Sequence, residues 1–147
     1  MATESETVIR RWFAEVWNER RLDRVEELWA SNGVAHGLAE GGADDIHGPE
    51  EWRRFIETML QEFAEFQITV EDVIADGEKV AARWVAEGTY HGTMLAPTPP
   101  QPQRVRMTGM TIARVVDGQI VEGWNNWDIM GMMGQLGAPP AMANLLT

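Results

Sequence analysis

The chain contains no cysteine. That excludes disulfides, thiolate nucleophiles and Cys-ligated zinc, and it fits the reducing cytoplasm in which the protein is expected to reside. No apolar run approaches the roughly 18 residues that a membrane-crossing helix needs. Cations are scarce: 12 Lys and Arg stand against 23 Asp and Glu, a formal net charge of −11. Such a chain repels a phosphate backbone, so nucleic acid is not an expected partner. The histidines are His36, His47 and His91, and no pair has the spacing of a His-Glu-x-x-His zinc helix, so no metal is expected. A Gly-x-Ser-x-Gly elbow, a Walker loop and a dinucleotide fingerprint are all missing. With them goes any signal for a nucleotide, flavin or pyridoxal cofactor. The first six residues are acidic and polar, unlike a secretory signal.

What is present fits one domain spanning residues 1–147. The acid excess falls largely on helical faces (Glu15, Glu19, Glu26, Glu27, Glu50, Glu51, Glu57, Glu62), as on a solvated surface. Seven tryptophans and nine methionines are the unusual part of the composition. Large, polarizable side chains of this kind suit a core, an interface or an adaptable pocket.

The first half reads as helices. Val8, Ile9, Trp12, Phe13, Val16 and Trp17 form one apolar stripe, behind a Thr3/Glu6 capping box. Leu22, Val25, Leu28 and Trp29 predict a second, short helix with Asp23 and Glu26 as its capping pair. Gly48-Pro49 opens a third, whose stripe is Trp52, Phe55, Ile56, Met59, Leu60 and Phe63. The second half alternates with period two. Phe66, Ile68 and Val70 lead to a turn at Asp76-Gly77. A strand from Lys79 to His91 turns Val80, Ala82, Trp84, Ala86 and Tyr90 to one side. A Pro-rich loop at 97–102 forbids a central strand. Val105 to Val116 follows, then a turn at Asp117-Gly118 and a last strand to Trp127. Helices segregated to one side of an antiparallel sheet make an α+β domain, and a curled sheet leaves an apolar cavity beneath them.

Asp128 is the leading candidate for chemistry. It follows Trp124-Asn125-Asn126-Trp127 and precedes Ile129-Met130-Gly131-Met132-Met133. A carboxyl among indoles and thioethers loses hydration, which raises its pKa and suits it to acid/base work. The alternative is an N-cap on a short helix from Ile129 to Leu136. Alternation places Glu122, Trp124, Asn126 and Asp128 on one face. Glu122 lies too far along the strand to pair with Asp128 and reads as a salt-bridged or surface group. His36, in a short strand after the second helix, is the second catalytic candidate: it could donate to a substrate carbonyl or pair with a carboxylate. His91 and His47 read as structural and exposed. Trp84, Tyr90, Met107, Thr111, Trp124 and Asn126 are the candidate substrate-binding residues, with Thr111 the one hydroxyl on its strand face.

The stretch from Arg114 to Asp128, followed by Gln135-Leu136-Gly137, resembles the C-terminal signature of SnoaL-like polyketide cyclases, of the nuclear transport factor 2-like superfamily. Further likeness covers Trp17-Asn18, Val34-Ala35-His36, Gly48-Pro49-Glu50, Ala82-Arg83-Trp84 and Gly88-Thr89-Tyr90-His91-Gly92. The resemblance implies a conical α+β barrel, a curved sheet wrapped around three N-terminal helices over a deep apolar pocket. It also implies catalysis without metal or cofactor on a small hydrophobic substrate, and assembly as a homodimer or homotetramer through the sheet. In such cyclases a carboxylate supports an intramolecular aldol ring closure, and Asp128 matches it. An isomerase, a dehydratase, an epoxide hydrolase or a non-catalytic binding module would use the same pocket. The segment Pro99-Pro100-Gln101-Pro102-Gln103 departs from the usual turn beside that pocket.

Overall fold

The structure is a computed structural model that describes residues 2–38, 45–94 and 99–137. Helix α1 runs over Glu4–Arg11 and continues as a π-helical segment, Trp12–Asn18. Thr3 caps it by accepting from the Glu6 N–H at 3.2 Å. The predicted stripe is fully buried, from Val8 to Trp17. A 3-10 turn, Leu22–Arg24, leads into the short α2, Val25–Leu28. No side chain caps either piece, so the expected Asp23/Glu26 pair does not form. Trp29 also leaves the predicted helix and begins β1, Trp29–His36. Then come β2, Ile46–His47, and α3, Gly48–Glu62. Gly48 takes a positive φ of 73° and Pro49 occupies the first turn of α3. The Glu51 carboxylate reaches back to the His47 N–H at 2.9 Å.

The remaining strands are β3 (Phe63–Asp76), β4 (Lys79–Tyr90), β5 (Gln103–Val116) and β6 (Gln119–Trp127), followed by α4 (Ile129–Gln135). They form one curved, unclosed six-stranded sheet in the order β2-β1-β6-β5-β4-β3. Every ladder is antiparallel except β1 with β6, which run parallel, with β2, α3, β3, β4 and β5 between them in the chain. The first hairpin turns at Gly77 and Glu78, one residue later than predicted, since Asp76 still pairs with Lys79. The second turns at Asp117 and Gly118 as expected, both with positive φ. Among the described residues no helix is long and apolar enough to cross a membrane. Residues 97 and 98 of the Pro-rich loop lie outside the described residues.

The inner face of the sheet packs against α1 and α3. On β4 the even residues from Val80 to Tyr90 are buried, with Val85 buried on the other face, and on β5 the buried positions are the odd residues from Val105 to Val115. Alternation breaks on β3, where the register shifts between Ala64 and Gln67 and again between Val70 and Asp72, and on β6, where the break bears on the cavity. Arg114 pairs with Glu122 but Val115 pairs with Ile120, so Val121 is an extra residue in that strand. This β-bulge moves the inward parity from Ile120 to Gly123, Asn125 and Trp127.

Candidate functional site

Between sheet and helices lies an apolar cavity. The helices contribute Ile9, Trp12, Phe13, Trp17, Trp52, Phe55 and Met59. The sheet contributes Trp29, Phe66, Ile68, Trp84, Ala86, Met107, Thr111, Ala113, Ile120, Gly123, Asn125 and Trp127, and Leu38 stands beyond β1. Trp12, Trp29 and Trp52 are within 5.3 Å of one another by ring centroid, and Trp17 meets Trp52 at 6.5 Å. Such aromatic pairs add about 1 kcal/mol each beyond the area they bury. The room left for the centres of water molecules is about 60 Å³, a narrow hollow rather than a wide chamber. Gly109 lies where β5 passes under Trp84, and a Cβ there would collide with the indole.

One polar chain crosses the sheet side of this cavity. The Trp84 indole N–H donates to Thr111 Oγ1 at 3.0 Å. The Thr111 hydroxyl donates to Asn125 Oδ1 at 2.8 Å, and Asn125 Nδ2 donates to the His36 carbonyl at 3.0 Å. The series ties β4, β5, β6 and the end of β1 together. Thr111 and Asn125 spend their hydrogen bonds on one another. The indole N–H groups of Trp29, Trp52 and Trp127 are buried without a hydrogen-bond partner among the described residues. Each such group costs about 1–3 kcal/mol relative to a satisfied one.

Trp84, Met107 and Thr111 therefore sit where the sequence placed them, on the cavity wall. The other candidates do not. Tyr90 is fully buried, but in the core beside Phe63 at 5.2 Å, with its hydroxyl donating to Glu62 Oε1 at 3.3 Å. Trp124 and Asn126 share a face with Glu122 and Asp128 as expected, yet the bulge turns that face outward. Trp124 is half-buried under the Lys79 ammonium, and Asn126 is exposed. Asn125 and Trp127 take their place inside. Gly123 was the available signal, since a glycine within a strand often marks a bulge.

Asp128 is exposed, not held in a dry hollow. Its carboxylate accepts from the Gly131 N–H at 2.8 Å and caps α4, which corrects the expected environment in favour of the capping alternative. A Cβ at residue 131 would strike this carboxylate, so the cap depends on glycine. Asp128 lines an outer groove with Glu71, Arg83, Thr108, Met110 and Asn126. The groove shares only Trp84 and Trp127 with the cavity.

His36 also faces outward. Its Nδ1 lies 2.8 Å from Asp45 Oδ2, its Nε2 lies 2.7 Å from Glu122 Oε2, and its ring lies 5.9 Å from Trp124. Carboxylates at both ring nitrogens call for both protons. The hydrogen bond to Glu122, supported by Asp45, raises the His36 pKa above its ordinary value against the opposing effect of desolvation. The imidazole thus pairs with carboxylates and does not reach the cavity as a donor. His47 and His91 are exposed. Among the described residues no group of acids and histidines is arranged to hold a metal.

The family model of SnoaL-like polyketide cyclases matches residues 7–136. Among solved structures, the wild-type IdmH of Streptomyces antibioticus, assigned as a candidate polyketide cyclase, is 31% identical, with 92% of this chain and 99% of that chain covered and a TM-score of 0.78. A candidate SnoaL-like cyclase from Jannaschia is 22% identical, covering 93% and 94% of the two chains, with a TM-score of 0.78. AclR of Streptomyces galilaeus, assigned as a candidate hydroxylase, is 23% identical over 93% and 98%, with a TM-score of 0.77. At those identities the last two show the fold alone. No curated protein matches the chain.

Proposed function

Because the chain belongs to the SnoaL-like polyketide cyclase family, we propose that it is a cyclase-type enzyme that folds a small hydrophobic carbonyl compound in the inner cavity for an intramolecular aldol closure. The supporting observation is the cavity itself: an aromatic hollow with a short polar edge and no ionisable side chain among the described residues that line it. In an aldol closure a proton leaves the carbon beside one carbonyl, that carbon bonds to a second carbonyl, and the second oxygen takes up a proton. The product is an isomer of the substrate. Confinement that brings the two carbons together removes much of the entropic barrier. Exclusion of water protects the enolate. In this reading the enzyme works without a cofactor, in keeping with the resemblance.

Asp128 performs the proton transfer only if its carboxyl leaves Gly131 and gains access past Trp127. Its exposure and its capping bond weigh against that. That no acid stands among the described lining residues favours a second reading, a binding module that holds an apolar molecule unchanged. Incubation with a β-dicarbonyl polyketide methyl ester decides between them. Cyclase action yields a ring-closed product of unchanged mass and new retention time. Saturable binding without any product supports the module.

The outer face suits a second copy of the chain. Ile74, Ala81, Ile112 and Trp124 lie side by side across four strands, with Ile74 and Ile112 70% and 46% exposed. Lys79 and Arg114 beside Asp76 and Glu122 make this patch locally balanced in a strongly acidic protein. A homodimer or homotetramer through this face is part of the proposal. A monomer by sedimentation at micromolar concentration would remove it.

A further inference from the structure

His36 is attached to both sides of the sheet. Its ring stands on the outer face, with Asp45 Oδ2 at 2.8 Å from Nδ1 and Glu122 Oε2 at 2.7 Å from Nε2. Its main-chain carbonyl accepts from the side chain of Asn125, which lines the cavity. The next residue, Gly37, has a positive φ of 83° and passes so close to the Asn125 carbonyl that a Cβ would collide with it. Leu38 then stands on the cavity wall. Whatever holds the His36 ring therefore also holds one stretch of that wall.

The two carboxylates are not anchored alike. Glu122 belongs to β6 and is paired with Val34 on one side and Arg114 on the other. Asp45 precedes β2, a strand of two residues that pairs with Val34 and Ala35. A neutral imidazole has one N–H and one bare nitrogen. It donates to one carboxylate and turns a lone pair on the other. The less firmly anchored partner, Asp45, is the one that leaves.

We propose that Asp45, His36 and Glu122 form a proton-operated clamp on the cavity: the doubly protonated ring ties the approach to β2 against β6, and loss of one proton frees Asp45 and loosens the wall at Gly37 and Leu38. The cavity then exchanges its contents faster at high pH than at low pH. That last step rests on the reading of the cavity as the ligand site, whereas the clamp itself does not. The hydrogen bond to Glu122, supported by Asp45, holds the His36 pKa above its ordinary value against desolvation. The clamp is therefore closed below about pH 6.5 and opens as pH rises through the folded pKa. The neighbouring charges are Arg114, in register with Glu122 and 3.4 Å from Glu78, and Lys79, over the Trp124 ring. His47 is opposite Val34 and exposed, with Glu51 at its backbone N–H. The ring nitrogens of His36 hydrogen-bond to Asp45 and Glu122 and to none of these. Glu40 and Asp44, in the same connection as Asp45, lie outside the described residues.

NMR titration of the full chain from about pH 5.5 to 9 tests the clamp by following the His36 ring, the Leu38 methyls and the Asn125 side-chain amide. The Leu38 and Asn125 signals should move with the midpoint of the His36 ring. In Asp45→Asn the ring should still titrate, at a lower midpoint, while Leu38 stays in place, because an amide can face either form of the imidazole. Stopped-flow uptake of N-phenyl-1-naphthylamine, an uncharged fluorescent probe, reads access to the cavity. Its rate should rise about threefold over that pH range, as release of a partly exposed ion pair allows, and become independent of pH in Asp45→Asn. Leu38 and Asn125 signals that ignore the His36 titration overturn the clamp, and so does a Leu38 step that persists in Asp45→Asn. Constant uptake alongside moving signals overturns the control of access. If the probe is not taken up at any pH, the reading of the cavity as a ligand site fails, and the signals alone judge the clamp. Should the variant fold poorly, the midpoints in the unsubstituted chain still decide, since separate midpoints for His36 and Leu38 sink the coupling.

Discussion

Asn125 and Asn126 are adjacent, chemically identical and in the same strand, yet they belong to different parts of the molecule. Asn125 closes a buried hydrogen-bond series that runs from Trp84 to the His36 carbonyl. Asn126 stands in an open groove beside Asp128. The same contrast runs along β6, where Gly123 and Trp127 line the apolar cavity while Glu122 and Trp124 meet charged groups. Residue type carries little meaning in a strand until its side of the sheet is known. Here the side is decided by one inserted residue, Val121, which breaks the alternation.

The sharpest way to break this contrast is to make the same change on both sides. Asn125→Leu strands the Thr111 hydroxyl and the His36 carbonyl, and should cost about 3 kcal/mol in urea unfolding. Asn126→Leu should stay within about 0.5 kcal/mol. Equal losses would mean that the bulge is misplaced. Asp128 sharpens the comparison from the outer side. Asp128→Ala removes the α4 cap and should cost about 1 kcal/mol, whereas Asp128→Asn keeps an acceptor and should be nearly neutral. The Asn variant also separates cap from catalyst: in the ring-closure assay, retained turnover confines Asp128 to capping, and lost turnover at unchanged stability makes it the proton-transfer group.

The smallest effect is expected at His36, and it depends on pH. The folded state raises the pKa of this imidazole. Its charged form therefore stabilises the fold below the unfolded value of about 6.5. That contribution fades as pH rises through the folded pKa. His36→Gln should accordingly lose somewhat under 1 kcal/mol at pH 5.5, since the pair is partly exposed to solvent, and less at pH 9. A loss that is the same at both pH values would show that the ion pairs with Asp45 and Glu122 contribute nothing.

Much of the architecture was legible in the residues. The α1 and α3 stripes, the inward row of β4, the odd row of β5 and the Asp117-Gly118 turn follow from periodicity and turn chemistry, because each depends on local spacing alone. The resemblance carried in the residues from Arg114 to Asp128 likewise led to the family. The site was less legible. Trp84 falls on the inner face as expected with the even row of β4, and Met107 and Thr111 do so because β5 keeps its alternation throughout. Trp124 and Asn126 were placed on the wrong side because β6 does not. Asp128 looked buried because its sequence neighbours are apolar, whereas its actual surroundings are the end of a strand and the open first turn of a helix.

The sequence by itself determined an acidic, cysteine-free α+β chain with helices first, strands afterwards and aromatic side chains enough to line a cavity. Only the tertiary structure decided which of those side chains face that cavity and which of their polar atoms are left without a partner. Those outcomes depend on pairing between strands distant in sequence, and a bulge is set by what the neighbouring strand allows.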